Sequence, residues 1–150
     1  HGDRERKYRP RTMLDAQMSL PYCIAVALLN GGEVRIEDFT ERSFDDPEVL
    51  RLADKVSAEG DAELDRVPFR PMSMPSIVTI ETTDGRRFER RVDYQKGDPR
   101  NPFSDDDYVR KFRTCVAPLL GDAAAKALTE RTLALDDLKD VRALARLTVR

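Results

Sequence analysis

Three side chains near the start of the sequence could bind carboxylates: Arg9, Arg11 and Gln17. The guanidinium group of arginine presents a planar fork of N–H donors that matches a carboxylate, and the amide of Gln17 adds a neutral donor and acceptor. One interpretation is that this loop contributes to a pocket for a polycarboxylate. The other is that both arginines are solvated or paired with acidic neighbours such as Glu5 and Asp15, because exposed arginine is common.

The loop leads directly into a predicted helix over 19–30. Ser19 can cap its start and Asn30-Gly31 can end it. The helix has almost no polar face, so we expect it to be buried. The hydroxyl group of Tyr22 either points into the pocket or is satisfied by the backbone while the ring packs in the core.

A second candidate is Lys96, which opens the sequence Lys-Gly-Asp-Pro-Arg-Asn-Pro at 96–102. A lysine in such a loop either holds a carboxylate as a point charge or is merely solvated. Gly97 and Pro99 are explained as turn residues. The motif is therefore either a binding element or a conformational one.

The sequence lacks the usual signatures of metal and nucleophilic catalysis. It has one histidine, His1, and no Cys-x-x-Cys pair. The acidic run Asp105–Asp107 fans around a helix start, where carboxylates are favoured by the helix dipole. There is no phosphate-binding glycine loop, nucleophile elbow or Ser/His/Asp set. We therefore predict no metal and no cofactor, and the sequence identifies no catalytic residue.

Composition narrows the class of protein. The chain has 150 residues, of which 26 are Lys or Arg and 28 are Asp or Glu, giving a net charge of −2. This balance points to neither a nucleic-acid nor a membrane partner. No run of 18 apolar residues is present. Cys23 and Cys115 lie in apolar segments and are predicted to be reduced packing residues. These features predict a single cytoplasmic domain.

The order of the predicted elements indicates an α+β fold. Apolar periodicity predicts about five helices: 19–30, one from Pro47, one from Asp105 to a break at Pro118 and Gly121, 122–132 and 138–147. A short strand is predicted near 56–60. Residues 67–75 contain three prolines and are predicted to form a loop.

The segment 76–93 is predicted to form a β-hairpin, the second element of a small antiparallel sheet. A two-residue turn would place Ile80 opposite Glu89. A three-residue loop places Ile80 opposite Phe88 and gives Gly85 a left-handed conformation. We prefer the second register because it puts Val78, Ile80, Phe88 and Val92 on one buried face.

Three segments, in order, resemble the C-terminal domain of the MmgE/PrpD family of lyases and isomerases. They are 9–30, the loop 96–102 followed by Ser104-Asp105, and 135–142. The resemblance implies cofactor-independent proton abstraction beside a carboxylate. Loss of water, loss of CO2 or reprotonation then follows. It also implies that most catalytic groups lie in a larger helical domain that has no counterpart here, so this chain alone is expected to be inactive.

The resemblance implies a lid-like, cleft-forming role beside a small polycarboxylate substrate. The implied substrate contacts are Gln17, Ser19, Tyr22, Lys96 and Arg11. The loop at 9–19 and the motif at Lys96 are expected to converge on one open face. The implied partners are the large helical domain of the same enzyme and a second copy in a homodimer.

One position bears on the reaction. Some decarboxylase members that resemble this segment carry tyrosine where this chain has Met18, and methionine cannot donate a proton. The reaction most consistent with the resemblance is therefore that of 2-methylcitrate dehydratase. The alternative is a stand-alone module, derived from the same domain, that binds a metabolite or drives oligomerisation.

Overall fold

The structure, a computed structural model, describes residues 2–66 and 74–149, with side chains from Glu5 onwards. Most of the predicted proline-rich loop, together with His1, lies outside the described residues. The chain divides into two compact units, residues 1–60 and 61–150.

The first unit is helical. Its helices are α1 (Gly2–Tyr8), α2 (Met13–Gln17), α3 (Leu20–Leu29), α4 (Glu41–Phe44) and α5 (Pro47–Ala53). The predicted limits of α3 are confirmed at both ends. The Ser19 hydroxyl accepts a hydrogen bond from the Tyr22 amide. At the other end Gly31 has φ +67, and the Gly32 amide donates to the Ala27 carbonyl over 2.7 Å. This is a Schellman ending, which satisfies a carbonyl left over by the last turn.

The core of this unit forms where α3 packs against α5. Tyr22 is fully buried, and its ring makes an edge contact with Phe44 at 6.2 Å between centroids. Burial of α3 is nevertheless only partial, contrary to expectation. Leu20 and Leu28 remain 54% and 46% exposed. A helix that is apolar on every side needs neighbours on every side to be fully buried. The other elements of this unit cover only one side of α3.

Two other predictions for the first unit are wrong. Residues 56–60 form no strand. Instead, the Val56 amide donates to Ala53 and its carbonyl accepts the Tyr8 hydroxyl over 2.9 Å. Because the Val56 amide and carbonyl already have these partners, they are not available to a neighbouring strand. The alternating pattern alone therefore does not make a strand. The segment 9–19 is also not a continuous loop, because Thr12 caps α2 by accepting the Asp15 amide.

In the second unit, a 3-10 turn (Leu64–Arg66) precedes an antiparallel pair, β1 (Ser76–Glu81) and β2 (Arg87–Val92). The predicted register is confirmed: Ile80 lies opposite Phe88, and Gly85 has φ +84. The expected burial of this face is wrong, since Ile80 is 37% and Phe88 is 52% exposed. Register follows from the turn and the alternation, whereas burial requires a covering layer.

Two long helices follow, α6 (Asp105–Leu120) and α7 (Asp122–Leu133), and they pack against each other. Ser104 caps α6, in a reciprocal capping box with Asp107. Pro118 does not break α6, which continues to Leu120 and ends at Gly121 with φ +84. A proline removes one hydrogen bond, and here the helix tolerates it near its end.

The last predicted helix is shorter than expected. Only α8 (Arg142–Ala145) is α-helical, followed by one 3-10 turn. The Asp140 carboxylate accepts the Arg142 amide over 3.0 Å, so the chain turns there before the helix begins. Among the described residues the fold is thus α+β, as predicted, with one two-stranded sheet and eight α-helices. Five of these helices have seven residues or more: α1, α3, α5, α6 and α7.

Candidate functional site

The two arginines of the first segment are paired with carboxylates of the same unit. Arg9 forms a two-bond ion pair with Asp54, with Nη1–Oδ1 and Nη2–Oδ2 distances of 2.8 and 2.6 Å. This hydrogen bonding raises the pKa of Arg9 and lowers that of Asp54. Arg11 contacts Glu5 at 3.0 Å and is largely exposed. Arg9 therefore already has the planar partner that a substrate carboxylate would provide, whereas Arg11 is held only by a surface pair.

Gln17 lies at the end of α2 with its side chain exposed. Its side-chain amide makes no hydrogen bond to any residue that the structure describes, and it is therefore available to a ligand. The neighbouring Met18 is 73% exposed. Gln17 and Met18 are thus both accessible at the end of α2.

Ser19 is placed differently. It is 1% exposed, and its hydroxyl both accepts the Tyr22 amide and donates to the Lys7 carbonyl. These contacts fix the start of α3 and tie it to α1. A substrate could reach this hydroxyl only if the first turn of α3 opened.

Tyr22 is fully buried, and its hydroxyl donates to the Asp38 carbonyl over 2.6 Å. Burial is the main cause that raises its pKa to about 12. This is the arrangement that the packing interpretation predicts. Tyr22 also lines a cavity of about 470 Å³. Three carboxylates, of Asp38, Asp46 and Glu48, line it against the single guanidinium of Arg42, so its charge does not suit a polycarboxylate.

The loop 96–102 is a folded element rather than an open binding loop. The Gly97 amide donates to the Asn101 carbonyl over 2.8 Å, and Asp98 is 5% exposed. The Asp98 carboxylate accepts two bonds from the Arg100 guanidinium, at 2.8 and 2.9 Å. These bonds lower the pKa of Asp98 to about 2. The guanidinium in turn stacks on Tyr94, 3.9 Å from the ring centroid.

Lys96 projects from this loop and is not merely solvated. Its Nζ atom lies 3.1 Å from Oδ2 of Asp107 and 5.8 Å from the centroid of the Phe103 ring. The side chain is still 50% exposed. The loop is therefore a conformational element, and substrate binding by its exposed ammonium group stays a prediction.

Within the two described ranges, 2–66 and 74–149, no three His, Cys, Asp or Glu side chains are grouped so that they could hold a metal ion. Nor does any helix in those ranges have the length and apolar character needed to cross a membrane. Cys23 and Cys115 are free and half-buried. Burial raises the pKa of the Cys23 thiol, which disfavours its reactive form.

The structure brings together Ser19 and Tyr22 in the first unit, and it places Lys96 in the second. Convergence of these segments on one face stays a prediction. Sequence analysis treated Asp107 only as part of an acidic helix start and missed its contact with Lys96.

Comparison with known proteins gives a consistent result. Residues 1–137 match the MmgE/PrpD C-terminal domain family. The cis-aconitate decarboxylase of Mus musculus is 28% identical over 141 residues, covering 92% of this chain and 28% of that protein. That of Homo sapiens is 28% identical over 139 residues, with 89% and 27% coverage. That of Aspergillus terreus is 29% identical over 143 residues, with 93% and 28% coverage. The chain thus spans a little over a quarter of the length of these relatives.

Proposed function

Because the chain belongs to the MmgE/PrpD family, as its C-terminal domain, we propose that it is part of a lyase that acts on a small polycarboxylate. The observation that carries this proposal is the similarity to cis-aconitate decarboxylases over about nine-tenths of the chain. The half-exposed ammonium group of Lys96 supports it, because a lysine can hold a carboxylate as a point charge.

The side chains present in this chain suit substrate binding better than proton transfer. Proton abstraction beside a carboxylate needs a base whose pKa is matched to the task. The described residues include no histidine, and the Tyr22 hydroxyl is occupied by a backbone carbonyl. We therefore infer that this chain binds and encloses the substrate, while the proton-transfer groups lie elsewhere in the enzyme.

Exposed apolar side chains support a contact with the rest of the enzyme. Met13, Leu14, Met18 and Leu20 are 54%, 68%, 73% and 54% exposed, and they lie within eight residues of one another along the chain. Clusters of this kind usually mark an interaction surface. We propose that the large helical domain of the same enzyme covers them.

Two reactions are candidates within this proposal. Similarity to cis-aconitate decarboxylases favours loss of CO2. Met18 favours loss of water, as in 2-methylcitrate dehydratase, because it stands where decarboxylase members that resemble this segment carry a tyrosine. Both reactions act on a small polycarboxylate, so carboxylate contacts are expected in either case.

The test is product analysis with the full-length natural protein that contains this chain. The protein is incubated with cis-aconitate and, separately, with 2-methylcitrate, and the products are identified by proton NMR. Decarboxylation gives a product one carboxylate shorter, whereas dehydration gives a new alkene with every carboxylate retained. Consumption of neither compound would contradict the proposal and favour a stand-alone binding module.

A further inference from the structure

The ammonium group of Lys96 is held in place by a carboxylate that is itself fixed independently. Oδ2 of Asp107 accepts hydrogen bonds from the Ser104 amide at 2.9 Å and from the Ser104 hydroxyl at 2.8 Å. These bonds belong to the capping box of α6. The position of Asp107 is therefore set by the helix start, and Lys96 adapts to it.

A ring beneath the ammonium group limits its freedom further. Lys96 Nζ lies 5.8 Å from the Phe103 centroid, within the range of a cation–π contact. The Phe103 ring packs against the backbone of Gly97, since a Cβ at that position would lie 2.7 Å from Cε2 of the ring. The ring also contacts Tyr108, with centroids 5.3 Å apart. Lys96 thus rests between the Asp107 carboxylate and the Phe103 ring.

Two cations share the Asp107 carboxylate, and both remain exposed. Arg110 also contacts Asp107, at 2.8 Å from Oδ1. One carboxylate is thus shared between two cations. The Asp107 side chain is 18% exposed, whereas those of Lys96 and Arg110 are 50% and 65% exposed. The cations therefore face solvent and the carboxylate lies behind them.

From this geometry we propose that Asp107 is a positioning residue, which fixes the Lys96 ammonium group so that it meets a carboxylate of the substrate. The inference rests on the proposed function, since it takes Lys96 as a substrate contact. An ordinary surface ion pair restrains two mobile side chains and contributes little. Here one partner is already immobile, so the pair orders the lysine before substrate arrives.

The test measures steady-state kinetics of the full-length natural protein, with whichever of cis-aconitate and 2-methylcitrate it consumes. Asp107→Asn is expected to raise KM by up to about fivefold, which corresponds to the upper end of the range of an exposed ion pair, about 1 kcal/mol, with kcat little changed. Asp106→Asn is the matched control. It removes the same charge from the same helical turn, and Asp106 makes no ion pair within the described part of the chain. It is expected to leave KM unchanged.

A double-mutant cycle separates positioning from helix capping. In a Lys96→Ala background, Asp107→Asn should raise KM no further, because there is no ammonium group left to position. A merely structural role for Asp107 would lower the melting temperature and leave KM the same, which would overturn the inference. An equal rise of KM in both backgrounds would also overturn it.

The failure of the proposed function would look different. If Lys96→Ala leaves KM unchanged, Lys96 is not a substrate contact, and the premise of the inference is wrong. If Lys96→Ala raises KM but Asp107→Asn does not, the premise holds and the positioning role alone is refuted.

Discussion

Replacement of Gly97 by alanine tests whether the loop 96–102 is the conformational element that the structure describes. Gly97 has φ +97, a conformation that costs a residue with a Cβ about 1–3 kcal/mol. The new Cβ would also lie 2.7 Å from Cε2 of Phe103. Carbon atoms pack at about 3.5–4.0 Å, so the ring must move by roughly 1 Å.

The magnitude follows from these two contributions. Phe103 is 38% exposed, so its ring can shift towards solvent, and we assign the overlap the lower end of the overpacking range, about 1 kcal/mol. Alanine also restricts the unfolded chain, which offsets about 0.4–1 kcal/mol. The free energy of unfolding should therefore fall by about 2 kcal/mol in Gly97→Ala.

Two other glycines provide matched controls. Gly85 has φ +84, but a Cβ added there would have no neighbouring atom within 4 Å, so Gly85→Ala carries the backbone cost without the overlap. Gly60 has neither a positive φ nor a close neighbour, and Gly60→Ala should change stability by less than about 0.5 kcal/mol. The assay is urea unfolding followed by far-ultraviolet circular dichroism. If Gly97→Ala proves no more destabilising than Gly85→Ala, the described contact between Gly97 and Phe103 is wrong.

Three further predictions concern the remaining polar contacts. Tyr22→Phe should lower the free energy of unfolding by about 1–2 kcal/mol, because the Asp38 carbonyl loses its donor. If the variant instead shows a higher KM and no loss of stability, the result favours substrate binding by the Tyr22 hydroxyl. Ser19→Ala should cost about 1–2 kcal/mol through loss of the N-cap of α3; unchanged thermal unfolding would contradict that role. The pKa of Asp98 is lowered to about 2 by Arg100, so its stabilising effect is present above the ordinary aspartate pKa of about 3.9 and is lost as pH falls towards 2. In a pH series, Asp98→Asn should therefore differ most from the wild type above pH 4 and converge with it in acid, and a constant difference would refute the assignment.

The helix starts and the hairpin register were predictable because the residues that determine them lie close together in the sequence. Ser19 and Ser104 stand at the starts of α3 and α6, where short polar side chains cap helices. The register of the hairpin followed from the loop length and from Gly85. Each of these features depends on residues within a few positions of one another, and the sequence displays them directly.

Burial and long-range pairing were not predictable in the same way. The apolar face that carries Ile80 and Phe88 is formed as expected, yet it is exposed. Alternation in the sequence indicates which face of a strand is apolar, but it does not indicate which element covers that face. Arg9 pairs with Asp54, which lies 45 residues away, rather than with its acidic neighbours. The contact between Lys96 and Asp107 likewise depends on how the loop folds back on the helix start.

The measurement that tests the central claim most directly is calorimetric titration of tricarballylate into the full-length natural protein. Tricarballylate is a saturated tricarboxylate that cannot lose water, so binding is measured without turnover. We expect saturable binding that weakens by about tenfold in Lys96→Gln, as the loss of one charge-assisted hydrogen bond of about 1.5 kcal/mol predicts. The affinity of Arg11→Gln for tricarballylate is measured for comparison with that of Lys96→Gln. Arg11 lies in the other unit and holds only a surface pair with Glu5. Absence of binding to the wild type would contradict the polycarboxylate account, and equal binding by wild type and Lys96→Gln would remove Lys96 from the site.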